Sequence, residues 1–479
     1  MKLLVSPLLN NLLSFFPEVK KPATKKLSFK EKLKWTLIIL VGFYMLSNIP
    51  LFGLGQNELA RFEQLSVILG ASFGSVLSLG IGPIVTASIV LQLLAGSGIL
   101  KIDQTTHEGR IFFQGIQKLM SIFFILFEAV VYVFMGGLAP DLLLRGTPAY
   151  FNFQLILVLQ LVIGGLLVLF MDEIINKYGF GSGISLFIAA GVSAEIIIRA
   201  ISPLNSLGAW AFGSGQPPVG AILVFLTSLV SGAPQDAFLA LFGVLATVLI
   251  FGMSVYAQAM KVEIPLSFGR IRGYGMRWPL NFLYTSNIPV ILVAALMANV
   301  QLWARLLEKW GYPLLGTYSG NIPASGLIQW ISPPNIVFKA FTGSFEYTSL
   351  FNNDIVHALG YSLFLIIGSV VFSIFWVQTA GMGASSVSKQ IMSSGLQIPG
   401  FRRDERVIER ILSRYIFPLT VMGGIAIGFL AASADILGAL SRGTGILLAV
   451  MIIYRLYEEI AKQHMMDMHP ALRKMMGGE

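Results

Sequence analysis

Along this chain, long apolar stretches nearly free of Asp, Glu, Lys and Arg alternate with basic or Gly/Pro-rich breaks. Ten such runs stand out, at 35–49, 75–95, 119–137, 153–171, 182–201, 238–257, 283–302, 358–377, 415–432 and 443–457. An apolar helix needs about 20 residues to cross a hydrocarbon layer, so the pattern predicts ten transmembrane helices. A further apolar stretch, 219–230, is too short to cross easily and lies between Pro217-Pro218 and Pro234, which predicts an external or re-entrant piece. Residues 57–80 mix charge, glycine and apolar positions, neither a clean span nor a polar loop. They read as re-entrant, because irregular backbone persists at membrane depth only where it is buried in protein or lines a cavity.

Composition agrees with lipid as the solvent. Apolar residues make up 55% and charged residues 12%, with a mean hydropathy of +0.76, more apolar surface than a soluble core buries. The absence of cysteine excludes a disulfide framework, a thiolate nucleophile and a Cys-based metal site. Before the first run a short amphipathic piece precedes a Lys-rich stretch with no small-residue cleavage site, so the N-terminus is expected to be retained and cytoplasmic.

Charge fixes the expected topology. With the N-terminus inside and ten spans, only Arg61, Arg145, Arg199, Arg305, Lys309, Lys339 and Arg442 of the 33 Lys and Arg fall outside. Counting 219–230 as a span would place Arg270, Arg272, Arg277 and the 402–414 arginines outside. Both termini are therefore expected in the cytoplasm. The expected organisation is a cytoplasmic N-segment at 1–34, an N-terminal half at 35–201, and an external loop at 202–237. A C-terminal half at 238–457, with cytoplasmic loops 258–282 and 380–414, precedes a cytoplasmic tail at 458–479.

Ten spans divide into two fives with matching irregularities. Gly82-Pro83-Ile84-Val85 interrupts the second span as Asn287-Ile288-Pro289-Val290-Ile291 interrupts the seventh. Gly181-Ser182-Gly183-Ile184-Ser185-Leu186 in the fifth echoes Gly443-Thr444-Gly445-Ile446-Leu447-Leu448 in the tenth. Singly, such motifs suit close helix packing. In pairs they predict an all-α polytopic fold of two pseudo-symmetric inverted halves with a pathway between them.

Groups for catalysis or ion coupling are scarce. Glu128 in the third span and Glu195 near the end of the fifth stand out, with His357 at the mouth of the eighth. A lone Glu at depth costs about 3 kcal/mol on insertion scales, so Glu128 is expected to face the interior or a polar partner. For Glu195 the expectation is plain pairing with Arg199, one turn on. His464 and His469 lie in a terminal segment, and no metal or other cofactor is expected. No HExxH, GxSxG or Walker pattern occurs, so the chain is read as a non-enzyme whose energy comes from a partner. The two long basic loops, with punctuation such as Arg272-Gly273-Tyr274-Gly275, suit a polyanionic partner such as ribosomal RNA.

Five segments carry a specific resemblance: LGIGPIVTASIVLQLL (79–94), DEIINKYGFGSGISLFIAAG (172–191), RIRGYGMRWPLNFLYTSNIPVIL (270–292), GFRRDERVIERIL (400–412) and GTGILL (443–448). In order and over nearly the whole chain, these resemble the SecY family, counterpart of the eukaryotic translocon α subunit. The loop between the sixth and seventh spans resembles the archaeal and eukaryotic version.

The resemblance implies a ten-helix clamshell with an hourglass pore, a plug after the first span, and a lateral gate between spans two and three and spans seven and eight. The implied constriction is an aliphatic ring of Ile81, Val85, Ile184, Ile188, Ile291 and Leu448, and the implied gate cluster is Thr86, Glu128 and Asn299. The plug maps to about 57–76, including Phe62, Leu65, Ile68 and Leu69. Partner-binding loops carry Arg270, Arg272, Arg277, Arg402, Arg403 and Arg406.

Implied partners are SecE (γ)-like and SecG/β-like small membrane subunits, a ribosome or other cytosolic motor, signal-bearing nascent chains and the lipid bilayer. The implied function is the central pore of a protein translocase in the cell membrane, passing secretory chains and releasing membrane segments sideways. Two other readings stand beside it. A secondary small-solute carrier fits ten spans and inverted repeats but lacks midplane charge, and an insertase scaffold would lack a true pore.

Overall fold

The computed structural model describes residues 18–20, 22, 27–57, 72–96, 99–100, 107–205, 209–212, 216–268, 275–285, 288–319, 322–334, 336–344, 354–393, 396–397 and 404–468. Within them, each apolar run becomes a helix. These are α1 (Phe29–Ser47), α2 (Gly82–Gly96), α3 (His107–Phe134), α4 (Pro148–Tyr178) and α5 (Gly183–Ile201) in the first part of the chain. There follow α6 (Ala221–Ser231), α7 (Pro234–Ala259), α8 (Ile288–Lys309), α9 (Asp354–Thr379), α10 (Ala384–Ser393), α11 (Glu405–Ile436) and α12 (Gly443–Met468). By length and composition α3, α4, α5, α7, α8, α9 and α11 supply seven segments able to cross a membrane. The short 219–230 stretch is α6, an 11-residue helix that turns at Gly232 (φ 74°) and packs back on α7.

Helix starts follow local chemistry. Ser28 caps α1 in a capping box with Glu31, and Asp404 caps α11 through the Arg406 N–H. Pro83 and Pro289 sit in the first turns of α2 and α8, so the expected interruptions in the second and seventh spans are helix beginnings. A first-turn proline loses no hydrogen bond, because the first four N–H groups have no partner within the helix.

Contacts divide the chain into two compact units. One comprises the described residues of Met1–Leu91, Thr106–Ile188 and Arg455–Glu479; the other comprises those of Gln92–Thr105 and Ala189–Tyr454. In the first, α4 packs on α1 and α3. A Cβ on Gly164 would strike the Val76 carbonyl oxygen, and one on Gly165 would lie 2.7 Å from Ile125 Cγ2, so small residues set this spacing. Phe43 stacks on Phe187 at 4.2 Å.

In the second unit α9 and α11 pack most closely: a Cβ on Gly428 would come within 2.6 Å of Ile366 Cα. Leu359, Leu363 and Ile367 form an exposed apolar stripe along α9, while Tyr361, Leu365 and Phe372 are buried. An apolar face turned outward is what lipid requires.

The segments 258–282 and 380–414, expected as two separate loops, share one small sheet. Strands β1 (Lys261–Phe268) and β2 (Gly275–Asn281) form an antiparallel hairpin with Lys261 opposite Asn281, and β3 (Leu396–Gln397) joins β1 with Ser267 opposite Gln397. Ile264 and Leu280 pack with Val387 and Ile391 of α10 and Ile408 and Leu412 of α11. Among the described residues, Lys261, Arg277, Lys389 and Arg406 therefore ride on a folded platform.

Candidate functional site

In the first unit the residues before α2 form successive turns. Ser78 Oγ accepts from the Gly74 N–H at 2.9 Å and donates to the Ser75 carbonyl at 2.5 Å, and Gly74 and Gly80 have φ of 98° and 54°. This turn carries Ile81, 1% exposed, to the N-terminus of α2, where Val85 closes the first turn through a 3.0 Å bond to the Ile81 carbonyl. Ile184, half-buried, and Ile188, fully buried, lie in the first turns of α5. In the second unit Ile291 is half-buried on α8, and Leu448 is fully buried on α12. All six aliphatic positions thus fall on the opening turns of helices or immediately before them.

One pair of the expected polar cluster meets directly. Thr86 Oγ1 lies 2.8 Å from the Gly82 carbonyl and 3.3 Å from Glu128 Oε1, bridging α2 to α3. Glu128 is 4% exposed, so it faces the protein interior as its insertion cost requires. Its Oε2 has no hydrogen-bond partner among the described residues. A second bridge between the same helices, Gln117 Nε2 to Ser88 Oγ at 2.6 Å, escaped sequence reasoning because a neutral amide and hydroxyl leave no charge signal. Asn299, half-buried on α8, belongs to the other unit.

Glu195 does pair with Arg199 at 3.0 Å, but it also accepts from Ser441 Oγ at 2.6 Å. The pairing expectation was therefore incomplete, since Ser441 lies far along the chain. His357 is likewise more than a boundary residue: its Nε2 lies 2.5 Å from the Gln329 carbonyl and 3.1 Å from that of Ser332.

Two helix-borne aspartates were passed over. Asp172 and Asp435 sit in α4 and α11, each just beyond the end expected for the fourth and ninth runs. Each precedes one of the paired glycine motifs, 181–186 and 443–448, which was the available signal.

On the platform, Arg277 pairs with Glu263 at 2.9 Å with both side chains largely exposed, and Arg406 is exposed in the first turn of α11. Arg270, Arg272, Arg402 and Arg403 lie outside the described residues, as do the plug positions Phe62, Leu65, Ile68 and Leu69.

The SecY family profile matches residues 75–457. Protein translocase subunit SecY of Methanothermobacter thermautotrophicus is 45% identical over 97% of this chain and 98% of its own length, and that of Pyrococcus furiosus is 41% identical over 97% of both. Among solved structures, a protein-conducting channel superposes with a TM-score of 0.79 at 41% identity, covering 97% of this chain and 99% of that one. Sec61 from a canine ribosome-channel complex of the endoplasmic reticulum superposes with a TM-score of 0.76 at 40% identity over the same shares. Sequence and fold agree over nearly the full length, and the chain belongs to the SecY family.

Proposed function

We infer that this chain is the central channel-forming subunit of a protein translocase, passing secretory chains across the membrane and releasing apolar segments laterally into the bilayer. The observation that carries this reading is the near-complete coverage, at 41–45% identity, of translocase subunits and a protein-conducting channel. A chain matched along both halves keeps the parts a channel needs, whereas a shared domain would give partial coverage.

The physics of the named positions supports it. Ile81, Val85, Ile184, Ile188, Ile291 and Leu448 offer an apolar collar that seals by dewetting when empty and yields to an extended chain of any sequence. Thr86 and Glu128, with Asn299, form the polar part of the lateral gate. A signal segment with enough apolar surface replaces this weakened apolar closure and shifts the population toward the open gate. The segment 57–76 is the plug.

Both termini face the cytoplasm of a cell-membrane protein, as the excess of basic residues on that side requires. The platform of 258–282 and 380–414, with Arg270, Arg272, Arg277, Arg402, Arg403 and Arg406, then meets a ribosome or another cytosolic motor. The Sec61 neighbour was solved in a ribosome-channel complex, which supports that partner. Lipid and small SecE (γ)-like and SecG/β-like subunits cover the exposed apolar faces. The chain itself performs no catalysis.

Site-specific photocrosslinking from Ile291 to a stalled secretory nascent chain tests the reading. Adducts with both the apolar signal and the polar mature part are expected. Absence of both, together with efficient solute uptake in liposomes, would replace the channel by a carrier.

A further inference from the structure

In each half, the fifth span begins on glycine beside a carboxylate from the span before it. The Ile184 N–H donates to Asp172 Oδ1 at 2.9 Å. The Gly443 N–H donates to Asp435 Oδ1 at 2.7 Å. These are first-turn N–H groups of α5 and α12, which have no partner within their own helices. No polar residue in the capping position of its own chain segment does this work; the acceptor reaches over from α4 or α11.

Two further observations show that the arrangement is built rather than incidental. The Asp435 carboxylate is oriented by a second donor, the Tyr361 hydroxyl, at 2.5 Å from Oδ2 with its ring 1% exposed. Each helix also starts on a glycine that admits no side chain. A Cβ on Gly183 would lie 2.7 Å from Asp172 Cα, and one on Gly443 would strike the Ala431 carbonyl oxygen and lie 2.7 Å from Ala434 Cβ. The helix start is thus pressed against the helix that supplies the cap. The two devices differ in sequence offset, so the shared feature is the juxtaposition and not a repeated motif.

The consequence concerns what these helices carry. Ile184 and Ile188 lie in the first two turns of α5, and Leu448 lies just past the first turn of α12. A helix held at its first N–H groups cannot slide along its axis or rotate there without breaking the cap. The carboxylate also sits at the positive end of the helix dipole, which favours the same seat.

We propose that Asp172 and Asp435 are paired positioning residues that fix the depth and rotation of α5 and α12, and so hold Ile184, Ile188 and Leu448 in register in the constriction; this rests on the channel reading above. Their loss leaves an aliphatic collar of unchanged composition but looser fit.

The test uses the complete translocase reconstituted with its partner subunits, carrying Asp172→Ala, Asp435→Ala, Asp172→Asn or Asp435→Asn. Two quantities are normalised to folded channel: resting ion conductance across a planar bilayer, and transport of a preprotein with a defective signal relative to one with an intact signal. Each alanine variant is expected to raise both by about fivefold, the change that loss of one cap contact produces. The asparagine variants are expected to stay near wild type, because an amide oxygen caps a helix as a carboxylate does. Where an alanine variant does not assemble, Asp→Glu, which displaces the cap by one methylene, is scored on the same readouts with the same expected direction.

Unchanged conductance and unchanged selectivity per folded channel would overturn the proposal and leave a purely structural cap, as would asparagine variants as leaky as alanine. Failure of the wild-type complex to transport even the intact-signal preprotein would sink the channel reading and this proposal with it.

Discussion

Thr86 hydrogen-bonds Glu128 across 3.3 Å, joining α2 to α3, yet leaves the second carboxylate oxygen of Glu128 without a hydrogen-bond partner among the described residues. A buried polar atom left in this state costs about 1–3 kcal/mol. On the gate reading proposed above, that cost belongs to the closed arrangement and weakens closure.

Glu128→Leu is therefore expected to raise the thermal midpoint of the purified complex while tightening the signal requirement. If about 1.4 kcal/mol of the cost is removed from the closed state, the open population falls about tenfold. Transport of a graded series of signals of decreasing hydrophobicity checks this. The variant should lose the weakest signals first, and equal transport across the series would remove Glu128 from the gate.

Replacing Ile81 and Leu448 together by Asn is expected to loosen the constriction. Both side chains are at most 1% exposed, so each change buries an amide in place of an apolar group, and on the proposed ring reading that wets the collar. Preproteins with defective signals should then pass, and unchanged signal selectivity would count against the ring assignment.

Much of the fold was legible because hydropathy reports the part of a helix that lies in lipid. It under-reports the ends. The third run begins at Leu119 while α3 begins at His107, and the ninth begins at Tyr415 while α11 begins at Glu405. Those extra turns carry charged and polar residues, which no apolar window marks. The same blindness cost Asp435, which lies in the last turn of α11 beyond the apolar window.

The sheet was not legible because its defining pair, Ser267 with Gln397, is a long-range contact between segments read as independent loops. Within the site, Glu128 was found because charge at depth is conspicuous. Its partner Thr86 came from family resemblance, since a threonine in a helix carries no signal by itself.

Glycines separate close packing from open surface. Gly428→Ala is expected to destabilise the complex by about 1–3 kcal/mol, because the new methyl meets the Ile366 Cα at 2.6 Å and backbone has little room to retreat. Gly252→Ala on α7 meets nothing within 4 Å and is expected to stabilise by about 0.5–1 kcal/mol through backbone entropy. Thermal unfolding of both variants in nanodiscs checks the contrast, and equal midpoints would contradict the packing of α9 on α11.

Arg277 separates stability from partner binding. Its ion pair with Glu263 joins two exposed side chains, 80% and 51% accessible, and such pairs contribute about 0–1 kcal/mol. Arg277→Ala should therefore leave the unfolding midpoint nearly unchanged. On a surface meeting a polyanion, the same change removes one phosphate-pairing cation and should weaken ribosome association with a shallower dependence on salt. Sedimentation of ribosomes with reconstituted channels at several salt concentrations measures both. A fall in stability with undiminished ribosome binding would mean that the Arg277–Glu263 pair braces the hairpin, and the partner surface would have to be sought elsewhere on the platform.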